Sequence, residues 1–368
     1  MKNKMFLYLL IIHVTIMGCV TLLALPYGGI GEASCHWDCS DAYLRIVRNG
    51  YDHAPSLSAQ WVGEANWAFF PAFPLTLRAM MWMTGLSGSN AGIVLNGLLL
   101  PVLAYLCYLY QNKKWGPVDY RIYFLFFLTF PPTLWFRIQY TECMFGILLV
   151  GMAWSVLNNR FYLASLCATL LCLTRPTGIF CVLIFAAFYL FNAWQNIDNH
   201  HKRVHSLGAL VAPAIDSTFL VVSGGAGMSV FMIYLYYLTG DSLAFSHIQI
   251  GWSRHFHFPG YWLLENIKYK HHINLVIASI LDMVVIYKGF QKRFYVEATV
   301  LLVTFMLAFS SSLMSIHRII MANPFFFMIV YSCLMDMRPI VRKAFIGFFG
   351  IILLLITILW FHNTNLLY

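Results

Sequence analysis

The sequence is short of charge. Of its 368 residues only 10% are charged, against about 25% in a soluble globular domain. Acids are the scarcer sign, 14 against 23 basic residues. No basic run exceeds two residues, so the net charge of +9 does not read as a nucleic-acid surface. Basic residues in so apolar a chain mark topology instead. There is no internal repeat, no low-complexity tract and no soluble domain. A disulfide framework is also absent. Cys19, Cys107, Cys143, Cys167, Cys172, Cys181 and Cys333 lie in or beside apolar runs, where cysteine behaves as a small hydrophobe. Only Cys35 and Cys39 differ, since they bracket His36, Trp37 and Asp38 in a polar loop. With His36 they make too few ligands for zinc, and no matching Cys/His pair lies nearby. A local disulfide is open to them if the loop faces an oxidising compartment and the chain there is not yet helical.

What is abundant is apolar: 60% of residues are hydrophobic and the mean hydropathy is +0.72. About 20 apolar residues span a bilayer. By that measure spans fall near 5–25, 90–110, 121–136, 141–157, 161–173, 177–194, 207–238, 273–288, 295–312, 319–335 and 344–361. The predicted fold is therefore all-α, a polytopic membrane protein with about eleven transmembrane helices in one domain, 1–368. Lys2 and Lys4 precede an apolar run longer than a signal peptide has, which reads as an uncleaved first span. The stretch 207–238 is too long for one straight span. Pro213, Asp216 and the Gly224-Gly225-Ala226-Gly227 cluster predict a kink or break there. Placing the N-terminus in the cytoplasm puts Lys113-Lys114, Lys202-Arg203, Lys292-Arg293 and Arg342-Lys343 inside, as the positive-inside rule requires. Two larger loops, about 26–89 and 239–272, then lie outside.

The first outside loop carries His36 to Tyr51. Read as a helix from Trp37, it places Asp38, Asp41, Arg45 and Arg48 on one stripe. Cys39, Ala42, Tyr43, Ile46 and Val47 form the other, and Gly50 is a stop signal. Such a helix lies in the membrane interface, apolar side down. Two carboxylates beside an apolar wall are candidates for general-base work. The plainer alternative is a surface helix with an ordinary Asp41–Arg45 pair at i,i+4. Further on, Trp67, Phe69, Phe70, Phe73 and Trp82 read as an aromatic belt. Pro71 and Pro74 let a second interfacial helix begin near Pro71, with Arg78 on its wet side.

Ionisable clusters recur at outside span ends: Arg137 to Glu142, Thr174-Arg175-Pro176, and His317-Arg318 before Asn323-Pro324. Charges at membrane depth mark a buried site or a watery cavity, although an isolated arginine also serves as a topological cap. Arg175 and Arg318 suit phosphate, because the guanidinium fork matches phosphate oxygens. The second outside loop offers Asp241, Gln249, Trp252 and Arg254, a polar and aromatic surface suited to a sugar and equally to any interface. His247, His255 and His257 follow no standard ligand spacing, so no metal is predicted.

These blocks, WDCSDAYLRIVRNGY, NWAFFPAFPLTLR, YTECMF, LTRPTG, TGDSLAFSHIQIGW and HR before NP, come in the order of the PIG-V-like family. The chain resembles that family, which comprises GPI mannosyltransferase 2 and prokaryotic relatives, over about residues 35–330 as scattered motifs. Through it the chain is similar to the GT-C class of integral-membrane glycosyltransferases. The resemblance implies a GT-C-like fold and transfer of a sugar, mannose by family, from a polyprenyl-phosphate donor. The acceptor would be a glycolipid or glycan. The matching general base is Asp38, with Asp41 second. Donor phosphate would meet Arg175, His317 and Arg318. Glu142 matches an acid of cavity or acceptor. Trp37, Arg45, Asp241 and Gln249 complete the candidate substrate surface. No cofactor is implied, because fixed cations can stabilise a phosphate monoester leaving group. The chain lacks the large lumenal insertions of the eukaryotic enzymes, which favours a prokaryotic relative in the plasma membrane over one in the endoplasmic reticulum. Expected partners are the lipid-linked donor, the acceptor and membrane lipids, with no nucleic acid; a partner subunit stays open. The competing expectation is a transporter or flippase for a lipid-linked sugar, although such proteins show paired repeats.

Overall fold

The structure is a computed structural model that describes residues 2–57, 63–198, 206–252, 254–269 and 272–364. Lys202 and Arg203 of the proposed inside charge clusters lie outside the described residues. The described residues are helical throughout, with no strand among them. The chain runs through α1 (Lys2–Ala24), α2 (Ile30–Ser34), α3 (Leu44–Asn49), α4 (Ala72–Thr84), α5 (Gly88–Trp115) and α6 (Tyr120–Thr129). Next come α7 (Leu134–Arg137), α8 (Glu142–Leu157), α9 (Phe161–Cys172), α10 (Gly178–Asp198), α11 (Ser206–Thr239) and α12 (Ala244–His247). The rest is α13 (Tyr261–Lys268), α14 (Ile273–Gln291), α15 (Tyr295–Ser311), α16 (Ile316–Met321), α17 (Pro324–Met335) and α18 (Pro339–Phe361).

Among the described residues, six helices are long and apolar enough to cross a membrane: Asn3–Tyr27, Gly88–Trp115, Gly178–Asn196, Gly208–Thr239, Ile273–Gln291 and Pro339–Phe361. A seventh crossing is available if Pro131–Arg137 and Glu142–Leu157, which meet at 100°, count as one broken span. Four further apolar helices, α6, α9, α15 and α17, have only 10–17 residues. Large side chains such as Leu7, Val14, Val222, Ile277 and Leu355 stand exposed on the outer helices. A water-soluble surface does not carry apolar patches of that extent. At the centre, Phe126, Phe127, Phe327 and Tyr331 interlock from α6 and α17, with Leu103 and Leu149 beside them.

The two ends of the bundle are chemically distinct. At one, Lys114 at the end of α5 meets Glu297 at the start of α15 (2.5 Å), and Lys292 meets Asp336 at the end of α17. At the other lie α2 to α4, the break before α8, the α9–α10 turn, and α16.

Three expectations are corrected here. The break is not in 207–238, where α11 is one continuous helix. Pro213 lies inside it, where the ring removes one backbone hydrogen bond without ending the helix. Its glycines serve close packing, since a Cβ on Gly227 would lie 2.2 Å from the Thr169 carbonyl oxygen of α9. The break lies instead at Ile138–Thr141. Asn96 of α5 donates to the carbonyls of Ile138 and Tyr140, and Gln139 donates to those of Gly31 (3.0 Å) and Ser89 (2.9 Å). Those bonds satisfy polar backbone that lipid would not tolerate bare. Gly92 lets the break approach, because a Cβ there would lie 2.5 Å from Gln139 Cγ.

Secondly, the apolar side of the helix over Asp38–Asn49 packs on protein. Cys39, Tyr43, Leu44 and Val47 belong to the buried core. Its first turn, Asp38–Tyr43, is π-helical, and α3 ends at Gly50 with φ 80°. The plainer alternative, an Asp41–Arg45 pair, does not form: Arg45 pairs with Asp52, which a loop after Gly50 brings back beside it. Thirdly, the aromatics of the first loop are not a belt. Trp67 and Phe70 join Phe231 of α11 and Phe245 of α12 in a second buried cluster, Phe70 lying 4.7 Å and 5.2 Å from the two phenylalanine rings. Each such ring withdrawn from water contributes about 1.5–3 kcal/mol. This cluster ties the loop between α3 and α4 to α11 and α12. Only Trp82, on the far side of α4, stays exposed. The helix α4 itself starts directly after Pro71, with Arg78 exposed, as the prolines predict.

Candidate active site

Four residues far apart in sequence meet under the joined loops. Arg318 Nη1 donates to Asp38 Oδ2 at 2.6 Å, and Arg318 Nε lies 3.3 Å from Glu142 Oε1. Arg175 closes the chain from the other side, donating through Nη2 to the same Glu142 oxygen and through Nε to Thr141 Oγ1 at 2.8 Å. The Arg318 guanidinium also lies over the Tyr140 ring, 4.7 Å from its centroid. The order is Asp38, Arg318, Glu142, Arg175, with charges alternating.

Local structure explains why each side chain is there. Asp38 opens the π-helical turn straight after Trp37, whose φ of 51° is left-handed. A disulfide between Cys35 and Cys39 closes that turn, the local bond left open for these two cysteines. Glu142 is the first residue of α8, where a carboxylate complements the helix dipole. It is 2% exposed. Arg175 sits in the turn between α9 and α10. Arg318 projects from α16, a short helix that ends before α17, which Asn323 caps and Pro324 begins.

Burial pulls Arg318 down, but the carboxylates of Asp38 and Glu142 outweigh it and hold the guanidinium well above its ordinary value. Arg318 is therefore a permanent cation. Burial, then Asp38 and Glu142, push the Tyr43 phenol up, so it remains a hydrogen-bond donor beside the cluster. A second enclosed arginine, Arg254, feels the same charges. Burial first, then repulsion from Arg318 and Arg175, hold it below its usual value, while Asp38 opposes them.

No protein-family model matches the chain, and no curated protein matches its sequence. The site is therefore read from its own residues.

The remaining candidates are distributed unevenly. His317 is half-buried beside Arg318, its ring 5.7 Å from Trp135. Trp37 stands at the rim, 36% exposed. Asp41 is exposed and accepts from Ser40 Oγ at 3.0 Å, outside the ion cluster. Arg45 is a loop brace, because its partner Asp52 also accepts from Asn66 N at 2.8 Å and, through its carbonyl, from Trp67 Nε1 at 2.6 Å. Asp241 pairs with His247 Nδ1 at 2.6 Å on the open side of the second loop, away from Asp38. That hydrogen bond holds the Asp241 carboxyl below its ordinary value. Gln249 donates to the Phe245 carbonyl at 3.3 Å and so shapes the loop.

One residue of the site, Tyr43, escapes the sequence-based candidates, and Arg254 is named there only within the polar surface of the second loop. Tyr43 falls on the apolar stripe and is indistinguishable from packing. Arg254 had a signal: no acid occurs between Asp241 and Glu265 to pair with it. Chemically, the cluster offers a carboxylate that can accept a proton and several fixed guanidiniums that can hold an oxyanion.

Proposed function

We propose that the protein is an integral-membrane glycosyltransferase. It moves a sugar, mannose by family resemblance, from a polyprenyl-phosphate donor to a lipid-linked or surface acceptor on the non-cytoplasmic face. The observation that carries this reading is the chain Asp38–Arg318–Glu142–Arg175, a base candidate and phosphate-suited cations in one partly buried cluster. The disulfide beside Asp38 supports an oxidising, non-cytoplasmic side. Eleven crossings in a GT-C-like arrangement follow if the four shorter apolar helices and the α8 limb each count as a span, and a bacterial plasma membrane is the proposed location.

The chemistry is one displacement. The acceptor oxygen forms a bond to the anomeric carbon as the bond from that carbon to the phosphate oxygen breaks. The acceptor proton goes to Asp38 and the bonding pair leaves with the phosphate, where guanidiniums stabilise the growing charge. The sugar configuration inverts. The donor's tail, held in lipid, supplies binding energy remote from the reacting carbon.

Donor kinetics in membranes test this directly. Arg318→Lys replaces a two-pronged contact by a point charge, and the apparent donor KM should rise about tenfold, the worth of one charge-assisted hydrogen bond. Unchanged donor kinetics would contradict the phosphate role. A second reading, a transporter for a lipid-linked sugar, draws on the broken span that places Glu142, since broken helices form transporter sites. It would show as movement of intact donor across proteoliposomes without transfer.

A further inference from the structure

Among the described residues, the Arg254 guanidinium has no hydrogen-bond or ion-pair partner. Arg254 follows the turn Ile248–Trp252, and the segment around it is anchored. The Arg254 amide donates to Gln249 O at 3.2 Å, the His257 amide to Ser310 O of α15 at 2.8 Å, and Trp262 Nε1 to His255 O at 3.1 Å. The Trp252 ring packs edge-on against Phe69 at 5.8 Å. The guanidinium is thus built in, not hanging from a loose loop. Its Nε is fully enclosed with no hydrogen-bond partner, and among the described residues no carboxylate lies within ion-pair distance of it. Other arginines are provided for: half-buried Arg45 by Asp52, buried Arg318 by Asp38 and Glu142, and buried Arg137 by Thr133 Oγ1 and the Leu128 carbonyl. A half-buried charge whose Nε is shut off from water and unpaired is costly unless a partner arrives.

Charge counting says what partner. Arg175, Arg254 and Arg318 give three positive charges; Asp38 and Glu142 give two negative. The site lacks one negative charge, which a phosphodiester carries. The same count closes after transfer. The phosphate then leaves as a doubly charged monoester, while Asp38 has become neutral by taking the acceptor proton.

We infer that Arg254 is the seat of an incoming phosphate ester, and that the Asp38–Arg318 ion pair is a latch which that anion opens. Asp38 Oδ2 accepts from Arg318 Nη1, so the carboxylate is engaged. The anion seated on Arg254 competes for Arg318 Nη1. Arg318 need not travel to respond, because Glu142 and the Tyr140 ring still hold it from the other sides. Asp38 is then released, and the base becomes available only when donor is bound. The order of binding, donor before acceptor activation, follows from the exchange. This inference rests on the glycosyltransferase reading for what Asp38 does once free; the anion seat and the competition do not need it.

The test is binding without chemistry. Purified protein in nanodiscs is titrated with geranylgeranyl phosphate, and separately with inorganic phosphate, following tryptophan fluorescence. Wild type should bind the prenyl phosphate. Arg254→Gln should weaken that binding about tenfold or more, the loss of one charge-assisted hydrogen bond. Asp38→Asn should tighten it about fivefold or more, since the competitor for Arg318 is gone. An Asp38→Asn affinity equal to or weaker than wild type overturns the latch, and an unchanged Arg254→Gln affinity overturns the seat. Inorganic phosphate binding as tightly, with the same variant pattern, upholds seat and latch but makes the ligand a free phosphate. If Asp38→Asn does not reach the membrane, Asp38→Ser removes the same charge. A wild type that transfers sugar yet binds neither probe would overturn this inference and leave the enzyme reading standing, whereas one that binds with the expected pattern but transfers nothing would do the reverse.

Discussion

Glu142→Gln isolates the electrostatic centre of the site. The carboxylate is 2% exposed, accepts from Arg175, and lies 3.3 Å from Arg318. Removing one partner of a buried ion pair costs about 3–5 kcal/mol, because the charge left behind has lost its solvation. Glutamine keeps the shape and one accepting oxygen, so the loss should fall near the lower end, about 3 kcal/mol. Arg175→Gln alone should also destabilise, since Glu142 then relies on the longer contact to Arg318. The double variant removes one charge of each sign and leaves Asp38 with Arg318. It should therefore be more stable than the sum of the two single losses predicts, by about 1.5 kcal/mol or more. Thermal unfolding in detergent, followed by a thiol-reactive dye, reads this well, because Cys143 is buried directly beside Glu142. A Glu142→Gln protein within about 0.5 kcal/mol of wild type would be ordinary for a surface change and would refute the argument. Strict additivity of the double variant would refute it equally.

Two further outcomes concern the first outside loop. Cys35 and Cys39 are four positions apart, and closing so short a loop contributes about 2 kcal/mol in the chain-entropy account. Cys35→Ala with Cys39→Ala should lower both thermal stability and sugar transfer; unaltered transfer would show that the ring does not hold Asp38 in place. Leu57, 94% exposed, should accept an impermeant maleimide from outside intact cells when replaced by cysteine, and labelling only after permeabilisation would invert the proposed topology.

Much of the site was legible because charge is costly in lipid. Asp38, Glu142, Arg175 and Arg318 stand out in a chain this apolar, the last three at the ends of apolar runs and Asp38 in the first polar loop. Their pairing was not legible. Asp38 and Arg318 are 280 positions apart, and only the packing of α16 against the rest brings them together. Periodicity sorted this stretch correctly, since Cys39, Ala42, Tyr43, Ile46 and Val47 are buried while Asp41 and Arg48 are exposed. What it did not show is the π-helical turn at Asp38–Tyr43, which is wider than an α-turn, and the pairing of Arg45 with Asp52. The aromatics of the first loop were ambiguous for a general one. Tryptophan and phenylalanine suit a membrane interface and a loop–loop junction alike, and the choice was made by Phe231 and Phe245, a long way down the chain. Likewise the glycines of α11 signalled flexibility in sequence but serve helix contact in space, where Gly227 meets Thr169.

The central claim is that Asp38 serves as base in transfer from a polyprenyl-phosphate sugar. Membranes carrying wild type or Asp38→Asn, offered a panel of radiolabelled donors with chelator present, test it most directly. The account predicts chelator-resistant transfer from one donor by the wild type, and a loss of about a hundredfold or more in Asp38→Asn at equal membrane insertion, the usual worth of a general base. Near-normal transfer by Asp38→Asn would remove that residue from the chemistry, and no transfer from any donor by well-expressed wild type would contradict the claim itself.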